Sequence, residues 1–147
     1  MPDLSIHDHQ GVVELDLPRM AGAVRAALEK VIREDSGRPA ALAGLDEVEI
    51  SFVDDAAIGR VHGEFLGDPE PTDVITFDHG EILISAETGM RRAEEFGHSA
   101  ERECVLYAVH GMLHLQGFDD HEAGDAACMK EVQERILGEI WPEEGGA

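Results

Sequence analysis

The segment CVLYAVHGMLHL, residues 104–115, constrains this chain more than any other stretch. Apart from two histidines it is apolar around nearly the whole circumference of a helix, and such a helix must be enclosed by the rest of the fold. Its ends are marked. Ser99 is an N-cap residue, with Arg102 and Glu103 standing in for an ideal capping box, and Gly117 suits the positive φ of a helix C-terminus. The pattern predicts a buried helix over 100–115 with His110 and His114 projecting from one face, one turn apart. A buried imidazole without a partner costs on the order of 1–3 kcal/mol. A cation shared by the two rings would satisfy both.

Just past Gly117 lie Asp119, Asp120 and His121, so a chain reversal at the glycine can fold a third ligand back onto the same ion. Both Asp120 and His121 are placed to serve. Three protein ligands plus water is the usual composition of a catalytic zinc site. A zinc peptidase of the familiar kind carries Glu directly after the first His as general base, and here that position is Gly111.

The remaining elements decide what encloses the helix. Residues 3–6 and 12–15 are short strand candidates around a polar turn at 7–11. Pro18 suits a first helical turn, and Met20, Val24, Ala27, Leu28, Val31 and Ile32 then recur on one face. SGRPAALAG breaks that helix, and VEISFV reads as a strand. Asp54 or Asp55 can cap a helix to about Leu66. DVITF and EILIS flank the turn Asp78–Gly80 and pair as neighbours, a helix covers 87–95, and a last helix covers about 122–140. Ala126, Met129, Val132, Gln133, Ile136, Leu137 and Ile140 form its inward stripe, and the tail WPEEGGA frays. Helices and strands interleave without a regular βαβ series. The expected fold is therefore α+β, a small mixed sheet packed against helices, in a single domain over 1–147.

At this point the residues match a known family. HGMLHLQGFDDH resembles the signature of the YbeY endoribonucleases, HGxLHLxG(Y/F)DH, PTDVITF resembles the family's PTDVLSFP block, and GEILIS is similar to its GDIxI strand. The likeness covers roughly residues 45 to 140. It implies a metal-dependent ribonuclease that cuts single-stranded RNA, matures the 3′ end of small-subunit ribosomal RNA and serves ribosome quality control. It departs from the pattern twice. The family's third histidine position holds Asp120, with His121 one later, and Leu66 stands where many members have an arginine at the RNA-binding cleft. Arg60 lies elsewhere on the same predicted helix.

Several further residues are candidates near such a centre. Thr72, Asp73 and Arg91 are assigned to substrate binding, with Thr76 and Arg92 close by. Asp73 is also a candidate acceptor for an imidazole N–H, since partners of that kind fix the tautomer of a ligand histidine. His7, His9, His62 and His98 are read as exposed, His79 as a turn residue, and Cys104 and Cys128 as small buried hydrophobes.

The charge balance limits how RNA could be held. There are 32 acidic against 11 basic residues, a formal net charge of −21. A protein that grips long nucleic acid by neutralising phosphates is basic. Contact here must be local, screened by metal or salt, or helped by a partner such as the ribosomal small subunit. MPDLSIHDHQ has neither a basic n-region nor an apolar h-region, and no apolar run reaches the roughly 20 residues of a membrane span. The expected setting is the cytoplasm, with one Zn2+ per chain and no nucleotide cofactor. The competing function classes are a zinc metallopeptidase-like hydrolase and a non-enzymatic, zinc-stabilised module that binds the ribosome.

Overall fold

The computed structural model describes residues 1–67 and 72–142. Four strands and five helices alternate unevenly: β1 (Asp3–Asp8), α1 (Leu17–Ile32), β2 (Glu47–Val53), α2 (Asp55–Leu66), β3 (Val74–Thr76), β4 (Glu81–Ser85), α3 (Ala86–Phe96), α4 (Ala100–Leu115) and α5 (Ala123–Ile140). The sheet order is β1-β2-β4-β3. β1, β2 and β4 run parallel, and β3 returns antiparallel on β4 through the turn at 78–80. The fold is α+β with a mixed sheet.

Strand alternation assigns the two faces. Ile50 pairs with Ile82 and Phe52 with Ile84, and all four are fully buried against α1, α4 and α5. On the opposite face Val53, Ile75 and Leu83 form a smaller cluster with Ile58 of α2. The inward stripe of α1 buries as its spacing requires, with Met20, Val24, Ala27 and Val31 at 0 % exposure. α4 is buried along most of its length, between the sheet and α1, α3 and α5.

The caps explain where the helices start. Asp54 accepts from the Ala57 N–H, Ser85 from Thr88 and Ser99 from Arg102, each satisfying a first-turn donor. Gly117, at φ +100°, begins the chain reversal after α4, and a side chain there would strike Ser36 Oγ and the Pro39 carbonyl.

Three expectations are corrected. Residues 12–15 form no strand: the Gln10 side chain accepts from the backbone N–H groups of Val12 and Val13 and donates to the Val13 carbonyl, tying that segment into a local knot. β1 instead pairs with β2, across the α1 crossover. Cys128 is exposed, because it falls on the solvent side of α5, whereas Cys104 is buried and burial pushes its thiol up to about 12. The chain end does not fray at Trp141, which is buried with the Arg19 guanidinium 3.8 Å over its ring. Residues 143–147 of the tail lie outside the described residues.

Candidate metal centre

α4 carries His110 and His114 on the face that meets α5 and the β3 end of the sheet. The rings stand nearly perpendicular, 85° apart, with centroids 4.6 Å apart. Their outer nitrogens are each engaged: His110 Nδ1 lies 2.8 Å from Gln133 Oε1, and His114 Nδ1 lies 3.1 Å from the Phe118 carbonyl. A carbonyl oxygen only accepts, so both Nδ1 atoms carry the hydrogen. The two Nε2 atoms are left as bare lone pairs, facing one another at 3.0 Å.

Two acceptors at that distance repel unless a cation lies between them. An ion in tetrahedral geometry at zinc–nitrogen bond lengths sets its nitrogens about 3.3 Å apart, so the 3.0 Å spacing fits with a small relaxation. Asp120 Oδ2 completes the group, 3.6 Å from His110 Nε2 and 3.8 Å from His114 Nε2. Burial, then the charge of His110, lowers the His114 pKa, which keeps that ring in the neutral, ligating form. The donor set, two imidazoles and a carboxylate, suits a borderline-soft divalent ion.

His121 points elsewhere. It pairs with Asp119 through Nδ1, and its side chain is 83 % exposed. Hydrogen bonding to Asp119 raises the His121 pKa and lowers that of Asp119, a self-contained pair. Among the described residues, the groups able to surround one ion are His110–His114–Asp120 and the overlapping Asp119–Asp120–His121.

The two imidazoles line a cavity of about 420 Å3 whose walls include His62, Leu66, Thr76, Phe77 and Asp78. His62 is thus half-buried at the cavity, where the sequence suggested an exposed residue. Gly111 lets α4 approach the sheet: a Cβ there would lie 2.9 Å from Thr76 Oγ1 and 3.0 Å from Ile82. A glutamate in the peptidase-base position would force Thr76 and Ile82 to shift.

Thr72, Asp73 and Arg91 are not gathered at this centre. With Arg92 they line a separate cavity of about 490 Å3. Arg91 Nη1 is held 2.8 Å from Asp55 Oδ2, and Asp73 Oδ1 accepts from the Val74 N–H at 2.8 Å. The acceptors for the imidazole N–H groups, sought in Asp73, are Gln133 and the Phe118 carbonyl. Gln133 was legible as a lone polar residue in the apolar stripe of α5. The Phe118 carbonyl had no signal in the side-chain pattern.

A family model described as Endoribonuclease YbeY matches residues 5–141. The chain belongs to the YbeY family. It is 34% identical over 155 residues to the Endoribonuclease YbeY of Pelotomaculum thermopropionicum, covering 95% of this chain and 97% of that one. To the enzyme of the same name from Roseiflexus castenholzii it is 37% identical over 142 residues, covering 84% and 89%. The solution structure of TM1509 from Thermotoga maritima shares the fold, with a TM-score of 0.63 at 24% identity over 98% of this chain and 99% of that one.

Proposed function

We propose that this protein is a metal-dependent endoribonuclease that cuts single-stranded RNA in ribosomal RNA processing, at the 3′ end of small-subunit RNA, and in ribosome quality control. Membership of the YbeY family supports the activity. The observation that carries the chemistry is the pair of facing Nε2 lone pairs with a carboxylate beside them at the mouth of a cavity. In this reading the whole chain is one metallohydrolase domain, working in the cytoplasm with the small ribosomal subunit or its proteins as partner. None of the described helices is long and apolar enough to cross a membrane.

His110, His114 and Asp120 would hold one Zn2+, with His121 in reserve on its pair with Asp119. Once bound, the ion supplies Lewis acidity for hydrolysis of a phosphodiester. The protein's own groups do the positioning. Gln133 and the Phe118 carbonyl each fix one imidazole as the Nδ1–H tautomer, aiming both Nε2 atoms at one point. Asp120, more exposed than the two rings, closes the solvent side. Leu66, Thr76 and Phe77 line the cavity beside the two rings.

The packing of Gly111 against Thr76 and Ile82 weighs against a peptidase of the glutamate-base type. Purified protein, stripped of metal and reloaded with zinc, is to be tested on single-stranded ribosomal RNA and on a peptide substrate. RNA cutting that returns with zinc is the expected result. Cutting that persists after full metal removal and in His114→Ala overturns the reading.

A further inference from the structure

Apart from the proposed ion, phosphate finds little to neutralise it among the described residues of the cavity beside the two imidazoles. None of the described residues lining it is Lys or Arg, and Asp78 adds a carboxylate. Leu66, at the position where many family members have an arginine, lines it as a hydrocarbon and is 60% exposed. On a chain of net charge −21, a strand of RNA needs some other source of adhesion.

A row of three rings passes beside this cavity, and its middle ring forms part of the wall. Phe77 lines the cavity just past β3. Phe65, near the end of α2, meets it edge-on at 5.8 Å and 81°, and His79, from the β3–β4 turn, stacks on it at 5.6 Å and 19°. Both ends of the row face solvent, with Phe65 65% exposed and the His79 side chain 70% exposed. Phe65 and Leu66 are two of the five large hydrophobic residues exposed among the described residues, and they sit together. Large apolar side chains left exposed beside a functional cavity are candidates for a contact surface.

We propose that Phe65, Phe77 and His79 form a base-stacking subsite that holds an unpaired nucleotide of the RNA next to the metal centre. The proposal rests on the ribonuclease reading above and names how that substrate is gripped. Every base has a π-face, so ring stacking tolerates sequence and does not depend on the sign of the protein's charge. It also selects single strands, because bases inside a duplex are already stacked on each other. Phe77, the middle ring, lines the same cavity as His110 and His114, so a strand with one base on the row would place a neighbouring phosphate near the imidazoles.

The test is binding of a short, fluorescein-labelled, phosphorothioate-linked single-stranded RNA to the zinc-loaded protein, by anisotropy. The double variant Phe65→Ala/His79→Ala, at two exposed positions, is expected to raise Kd about tenfold or more. The slope of log Kd against log salt should stay that of the wild type, since no Lys or Arg is removed. Phe96→Ala, an exposed phenylalanine outside the cavity lining, should bind as the wild type does. Phe65→Trp in the otherwise unchanged chain should bind at least as tightly. An RNA with abasic positions should lose affinity for the wild type and lose much less for the double variant, the non-additivity expected of one shared contact. A double variant that binds like the wild type, or loses no more than Phe96→Ala does, overturns the subsite while leaving RNA cutting intact. A wild type that neither binds nor cuts single-stranded RNA overturns the ribonuclease reading itself, and the subsite with it.

Discussion

Two polar clusters lie on this fold, and they are built to opposite plans. At the junction of α2, β4 and α3, Asp55 Oδ1 accepts from Ser85 Oγ at 2.5 Å and Thr88 Oγ1 at 2.9 Å, and Oδ2 accepts from Arg91 Nη1 at 2.8 Å. Arg91 Nη2 donates in turn to Thr88 Oγ1 at 3.1 Å. Donors meet acceptors throughout, so the cluster is closed. At the end of α4 the sense is reversed: two imidazole nitrogens and a carboxylate converge, with no hydroxyl, amide or guanidinium among them. A closed cluster locks elements together, and an open one of like ends requires something from outside. Residue types alone do not separate the two, since each contains carboxylates beside nitrogen-bearing side chains.

The largest effect expected from this contrast is at the open cluster. His114→Ala removes one lone pair, and zinc retention and RNA cutting should fall by more than the roughly 100-fold that losing an outer-shell partner costs. Metal content by mass spectrometry and a cleavage assay measure this, with circular dichroism to show that α4 still folds. If zinc stays bound with unchanged affinity, the cluster is not a metal centre.

Gln133→Leu touches neither the ion nor the RNA. By freeing His110 to rotate or change tautomer it should weaken zinc binding by about 10–100-fold, read by competition with a chromogenic chelator. Loss of thermal stability without loss of zinc affinity would make Gln133 a packing residue only.

The closed cluster should respond in stability and not in chemistry. Asp55→Asn should cost about 1–3 kcal/mol by denaturant titration, with zinc content and cutting per folded molecule unchanged. Its pH dependence has a definite sign. Partial burial works to raise the Asp55 carboxyl, but hydrogen bonds from Ser85, Arg91 and Thr88 and the Arg91 charge outweigh it and hold the pKa below the usual range. The stabilisation is therefore fully present above the unfolded value of about 3.9 and is lost as the pH falls through the lower folded value. The wild type should lose stability more steeply than Asp55→Asn across that acid window, and parallel curves would refute the assignment.

The smallest effect is a gain. Leu66→Arg places a cation at the cavity rim, which should tighten RNA binding modestly and steepen the salt slope by about 0.7. An unchanged slope would mean that the strand does not pass this position.

The buried helix with its two histidines was plain in the sequence, because a run apolar on every side has only one stable home. The α+β class, the pairing of β3 with β4 and the caps at Asp54 and Ser99 followed from local signals that tertiary structure did not override. The failures share a cause. Residues 12–15 have strand composition, but Gln10 satisfies their backbone locally, a competition that composition does not reveal. Arg91 is assigned to substrate binding, and its pairing with Asp55, far away in sequence, had no local signal. Asp73 and Gln133 could each have held an imidazole, and the choice depended on how α5 packs against α4. Asp120 and His121, adjacent in sequence and left as alternatives, differ in what they face: an Asp120 carboxylate oxygen lies beside the two imidazoles, whereas the His121 ring pairs with Asp119.

Trp141 gives this molecule an optical handle. It is the single tryptophan of the chain, buried beneath Arg19 at the end of α5, and Gln133 lies about two turns earlier on that helix. Its emission should report the seating of α5 on α1. Zinc added to the stripped protein should therefore shift that emission only as far as the pull on Gln133 resettles the helix. Stopped-flow mixing would time the closing of the metal shell without any substrate present.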